Sequence, residues 1–189
     1  AGLMIVRAGV NERIERYGRV ITAIQQDTDL YSTDSPLQIT TEEKAEAITV
    51  LDGNVYELIP PLRSYVLLRL DSALSGGGAT YDYKLITVEH VLPRNPPAGS
   101  EWEQWFPDAT QRDAVVHRLG NLALLTRRKN SSARNFAFSK KKASYFTKGG
   151  VSPFAITTQV VHEQEWTPVV VAKRQKELLL ALEVMWRLS

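Results

Sequence analysis

Apolar residues recur at helical spacing between Asn11 and Gln26, at Ile14, Tyr17, Val20, Ile21 and Ile24. That spacing predicts an amphipathic helix, with Asn11 as its N-cap. A second helix is predicted to start at Thr41, where Glu42 and Glu43 place acids in the first turn, and to stop near Gly53. The stretch IPPLRSYVLLRLDSAL, residues 59–74, predicts a third, with proline in its opening turn and Gly76, Gly77 and Gly78 as the break after it. All three read as packing elements without site chemistry.

The period then changes. YKLITVEH, residues 83–90, carries the β-branched run Ile86-Thr87-Val88 and reads as a strand that Pro93 stops. A long connection rich in Pro and Trp follows. NLALLT, residues 121–126, predicts a second short strand, and a helix is expected from about Ser139 to Phe146. WTPVVVAKRQKELLLALEVMWRL predicts a closing helix, with Thr167 as cap, Pro168 in first position, and Leu178, Leu182 and Met185 on one face. The expected class is α+β and mostly helical, with a helical subregion at 1–78 and a core at 79–189. No repeat or low-complexity tract interrupts it.

Composition narrows the chemistry. The 189 residues include no cysteine, which excludes disulfides, cysteine nucleophiles and cysteine-ligated zinc, and fits a cytoplasmic protein. No run of eighteen apolar residues predicts a membrane span, and Ala1 to Val10 lacks the pattern of a signal peptide. The opening AGLMIVRAGVNERIERY reads as a cut from a longer protein.

Net charge is only +2, but it is unevenly placed. Between Ala114 and His162 there is no Asp or Glu, and nine basic residues: Arg118, Arg127, Arg128, Lys129, Arg134, Lys140, Lys141, Lys142 and Lys148. The remaining 14 basic and 21 acidic residues leave the rest of the chain at −7. A +9 segment in such a chain is a footprint for a polyanion, or else a solvated basic face.

Three fragments carry candidate chemistry in order: Glu89-His90, Gly120-Asn121, and Asn130. Hydrolysis of a phosphodiester needs a base for water and a cation for the phosphate and leaving oxygen. Histidine suits the first task. A carboxylate and an amide carbonyl suit Mg²⁺, which takes few protein ligands. Glu89 and Asn130 supply such oxygens. Successive strand residues face opposite ways, so Glu89 and His90 can share a site only where the strand ends or bends.

With these residues in view, EHVLP, HRLGNLALLTRRKN and NFAFSKKKASY together resemble the C-terminal HNH nuclease domain of GmrSD-type restriction proteins. These belong to the His-Me finger, or ββα-metal, nucleases, and SspE-type phage-defence proteins carry similar domains. The resemblance is clearest over residues 81–146. It implies a ββα-metal finger flanked by helices, with His90 as general base. It implies Glu89 and Asn130 as ligands of Mg²⁺ or Mn²⁺, and Asn121 as the residue that holds the finger loop and orients the histidine. Two departures stand out: Glu replaces the more usual Asp at 89, and thirty residues separate His90 from Asn121.

The basic residues then take a role. Arg118, Arg127, Arg128, Lys129, Arg134, Lys140, Lys141, Lys142 and Tyr145 are the expected nucleic-acid contacts, with Lys141 and Tyr145 on one helix face for phosphate and sugar. His117 is the rival base. Trp102, Trp105 and Phe106 read as a hydrophobic plug rather than a base-stacking wedge, and His162 as structural.

The resemblance thus implies a metal-dependent endonuclease that nicks double-stranded DNA. It would be the effector of a bacterial restriction or anti-phage protein whose nucleotide-hydrolysing sensor domain precedes it in the same chain. The rivals are a non-catalytic DNA-binding module and an RNA-cleaving toxin-like nuclease.

Overall fold

The computed structural model describes residues 8–58, 60–126, 135–147 and 152–188. In chain order these form α1 (Val10–Gln25), α2 (Thr41–Leu51), a 3-10 turn (Val55–Glu57) and α3 (Pro60–Leu74). Then come β1 (Thr87–His90), α4 (Glu101–Trp105), α5 (Ala109–Val115), a second 3-10 turn (Leu119–Asn121) and β2 (Leu122–Leu125). Last are α6 (Phe138–Lys141), which runs into a π turn (Lys142–Phe146), α7 (Ala155–His162) and α8 (Pro168–Trp186). The protein is mostly helical α+β, as its sequence implies.

The two strands pair antiparallel, with Thr87 opposite Leu125 and His90 opposite Leu122. Residues 83–86 stay outside the ladder because β2 offers only four partners, between the turn at Leu119–Asn121 and its own end at Leu125. Every residue of β2 is buried. Leu122 and Leu124 join a core built on α2, α3 and α8, whereas Ala123 and Leu125 join a second core with Trp102, Phe138, Phe146 and Trp166. A strand covered on both faces reads as a continuous apolar run rather than an alternation, which is what LALL is. Thr157 of α7 covers the outer edge of β2: its hydroxyl accepts from Leu124 N–H at 3.0 Å and donates to Leu124 C=O at 2.8 Å. That satisfies an otherwise open strand edge.

The plug reading of the insertion is matched. Trp102 and Phe106 are buried, and the Trp102 indole donates to the Phe136 carbonyl at 3.0 Å. α1 departs from expectation. It caps on Gly9 rather than Asn11, with the Glu12 carboxylate accepting from Gly9 N–H. It buries only Ala23, while Val10, Ile14, Tyr17, Ile21 and Ile24 are 51–64% exposed. Arg16 anchors it: its guanidinium donates to the carbonyls of Pro36 and Gln38 and pairs with Glu43.

Candidate active site

β1 stops at His90 because the next two residues bond elsewhere. Val91 N–H donates to the Asn121 main-chain carbonyl at 2.9 Å, and Leu92 N–H donates to Asn121 Oδ1 at 2.7 Å. Asn121 Nδ2 donates to the carbonyls of Leu92 at 3.1 Å and Val116 at 2.9 Å, and Trp166 Nε1 donates to Asn121 Oδ1 at 3.0 Å. The amide has capacity for four such bonds and makes all four, fully buried. It therefore fixes the segment that leaves His90.

α8 holds Asn121 in turn. Arg174 donates to the carbonyls of Leu119, Gly120 and Leu122, and Gln175 Oε1 accepts from Gly120 N–H at 2.7 Å. Burial pushes the Arg174 pKa down to about 9, so the guanidinium remains charged at neutral pH. Gly120 is required by this contact: a Cβ there would meet the Val171 carbonyl oxygen at 2.5 Å.

The His90 imidazole lies at the strand end, 6% exposed. Its Nε2 is 3.0 Å from Nδ1 of His117. The Tyr56 ring covers both imidazoles, its centroid 4.0 Å from that of His90 and 5.4 Å from that of His117. Arg63 stacks on Tyr56 at 4.3 Å and donates to its carbonyl at 2.7 Å. Behind His117, the Glu57 carboxylate lies 4.0 Å from Nε2. Burial pushes the His117 pKa down; Glu57 opposes this and Arg94 adds to it.

The N-terminal subregion, whose sequence pattern implies packing alone, supplies Tyr56, Glu57 and Arg63. The only local signal is an aromatic and an acid side by side in the short link between two helices. In sequence Trp166 likewise marks only the flank of the closing helix.

Glu89 is 2% exposed and pairs with Ala123. The pleat sends it toward the second core and His90 toward the first. A site shared by the two must therefore lie off the open end of β1. Among the described residues no group of three or more His, Cys, Asp or Glu could hold a metal. A Mg²⁺ site of one carboxylate and one amide carbonyl, with water completing the shell, forms no such group. The donor chemistry of Glu89 fits it; Asn130, the expected second ligand, lies outside the described residues.

The basic set divides. Lys141 is fully buried, and its ammonium donates to the carbonyls of His90 at 2.9 Å and Val91 at 2.8 Å. Tyr145, on the same face as expected, is buried too. Neither presents a surface to phosphate or sugar; the two share a face, as their spacing implies, and that face points inward. Arg118 donates to the Asp52 carbonyl at 2.6 Å and pairs with its carboxylate. Lys142 donates to the Glu163 carbonyl at 2.6 Å. Lys140 is exposed beside the Phe136 ring. Arg127, Arg128, Lys129 and Arg134 lie outside the described residues. His162 is exposed at the end of α7, away from this cluster.

No curated protein and no solved structure matches the chain significantly. A family model does, over residues 41–180, a span that holds Tyr56, Glu89, His90, His117, Asn121, Lys141 and Trp166. By that match the chain belongs to the family of the C-terminal domain of GmrSD restriction endonucleases.

Proposed function

We propose that this domain is a metal-dependent endonuclease of the HNH, ββα-metal type, which nicks double-stranded DNA with His90 as general base. The observation that carries it is the placement of His90. Its imidazole stands at the end of a short strand, aligned by a second histidine, with the following backbone tied down by Asn121 and Lys141. Family membership supports the nuclease class.

In this mechanism His90 takes a proton from water as the water oxygen attacks phosphorus. The bond from phosphorus to the 3′-oxygen breaks and that oxygen takes a proton from solvent, leaving 5′-phosphate and 3′-hydroxyl ends. Glu89 and Asn130 would hold Mg²⁺ or Mn²⁺, which would stabilise negative charge on the departing oxygen. Asn121 and Lys141 are positioning residues. Lys140, Arg127, Arg128, Lys129 and Arg134 would neutralise the DNA backbone without reading sequence. One such centre per chain cuts one strand per event. The domain would serve as the effector of a cytoplasmic restriction or anti-phage protein, controlled by a nucleotide-hydrolysing sensor domain of the same chain. No described helix is long and apolar enough to cross a membrane.

The test is supercoiled plasmid incubated with the protein in Mg²⁺, Mn²⁺ or EDTA. Open circles are expected with either cation and none with EDTA. Retarded but uncut plasmid in every condition would make this a binding module instead.

A further inference from the structure

We propose that the exposed apolar stripe of α1 is a pairing seam, and that its occupant is α1 of a second copy of this chain. The inference stands apart from the nuclease reading; where both hold, one particle carries two strand-cutting centres.

The spacing of the stripe selects a helix as partner. Val10, Ile14, Tyr17, Ile21 and Ile24 follow one another by steps of four, three, four and three. That is a period of about 3.5, the a/d seam of two paired helices, narrower than the stripe a helix turns to a core. With Ile14 and Ile21 at a and Tyr17 and Ile24 at d, the charges of Glu12, Glu15 and Arg19 fall at b and f, away from the seam. α1 meets its own domain with a different face. Arg13, Arg16 and Val20 are half-buried and Ala23 is buried, whereas the five seam residues are 51–64% exposed.

Charge decides what kind of surface can lie there. Residues 26–58, which follow α1 and hold it through Glu43, carry eight acids and one lysine. A seam beside so acidic a segment repels a DNA backbone or an anionic bilayer, but not an uncharged helix face. Self-pairing brings each group against its own kind, so a charged rim would oppose it. The rim positions here are Asn11, Gly18, Val20 and Gln25, with Arg13 turned back to donate to the Ala8 carbonyl at 3.0 Å.

Gly18 fits the same reading. Glycine weakens a helix interior, and a Cβ there would meet no described atom within 4 Å, so the chain's own packing does not ask for it. On the rim of a seam it lets a second backbone come close. The five seam residues expose roughly 500 Å² per copy, so pairing removes roughly 1,000 Å² from water, the smallest area a specific interface needs.

Sedimentation equilibrium of the chain loaded at about 1 µM and about 1 mM tests the proposal, since a contact of this size dissociates within that range. The wild type should pass from monomer to dimer. Ile14→Glu with Ile21→Glu should stay monomeric at both loadings. Its melting temperature at the lower loading should match wild type, because both side chains are exposed in the single chain. Leu180→Glu with Val184→Glu, at exposed apolar positions of α8, should dimerise as the wild type does. A second measurement does not depend on how the glutamates are tolerated. The chain has no cysteine, so Tyr17→Cys places a single thiol at the midpoint of the seam. Oxidation with copper phenanthroline at the higher loading should join most of it into a dimer, while Val184→Cys should remain largely unjoined. A wild type monomeric at both loadings would overturn the proposal and leave the seam to a helix of another protein. So would a dimer that survives both glutamates on α1, or Val184→Cys joining as readily as Tyr17→Cys.

Discussion

Lys141 and His90 are joined through the backbone: the buried Lys141 ammonium donates to the His90 carbonyl at 2.9 Å, fifty-one residues away in sequence. A lysine in a basic run is ordinarily a surface charge. Here it fixes the peptide that follows the proposed base, and takes the neighbouring Val91 carbonyl as well.

Lys141→Ala should therefore act on stability before it acts on DNA. Two buried carbonyls would lose their donor, at about 1–3 kcal/mol each if unsatisfied. Urea unfolding should show that loss, while Lys140→Ala, at an exposed position, should stay within about 0.5 kcal/mol of wild type. A Lys141→Ala protein of normal stability but weaker DNA binding would restore the phosphate-contact reading.

Gly120→Ala is the second stability prediction. The added methyl would lie 2.5 Å from the Val171 carbonyl oxygen, a backbone atom at the contact with α8. Overpacking of this kind costs about 1–3 kcal/mol, and the melting temperature should fall accordingly. An unchanged melt would mean that α8 can move away from the Asn121 turn without loss.

The third concerns pH. Burial holds the His117 pKa below its ordinary value. Between that lowered pKa and about 6.5, the unfolded chain binds a proton that the folded one refuses. The stability from a neutral His117 is thus fully present above about pH 6.5 and is lost as pH falls. Urea unfolding at pH 7.5 and 5.5 should show a larger loss on acidification for wild type than for His117→Asn. Equal losses would show that His117 is not buried as a neutral ring.

Much of the fold was legible. The strand TVEH and the apolar LALL have short-range signatures, β-branching in one and burial on both faces in the other. α2 announced itself through acids behind a threonine; Thr40 and Glu43 form the reciprocal cap. α8 began at Pro168 as its cap and proline imply. Other features depend on partners far along the chain. Glu57 and His117 are sixty residues apart, and nothing local to either marks the pair. α7 was not foreseen because AITTQVVH is rich in β-branched residues, and its helix is fixed by packing, with Thr157 bonded to β2. The stripe on α1 had the spacing of a buried face, but periodicity gives a face and not what covers it.

DNA contact makes the fourth prediction. With Lys141 buried, binding should depend on Lys140 and on Arg127, Arg128, Lys129 and Arg134. Replacing Arg127, Arg128 and Lys129 by Ala should weaken binding for any duplex sequence and lower the slope of log K against log salt by about 0.9 per lost contact. An unchanged slope would place the DNA surface elsewhere.

The central claim is that His90 activates water, and the rate of plasmid nicking by His90→Ala in saturating Mg²⁺ tests it most directly. The variant should fold and bind plasmid as wild type does, while nicking falls about 10²–10⁴-fold. Excess Mn²⁺ should not restore it, whereas Glu89→Ala, which fails through the metal, should recover in part. A folded His90→Ala protein that nicks at the wild-type rate would contradict the account.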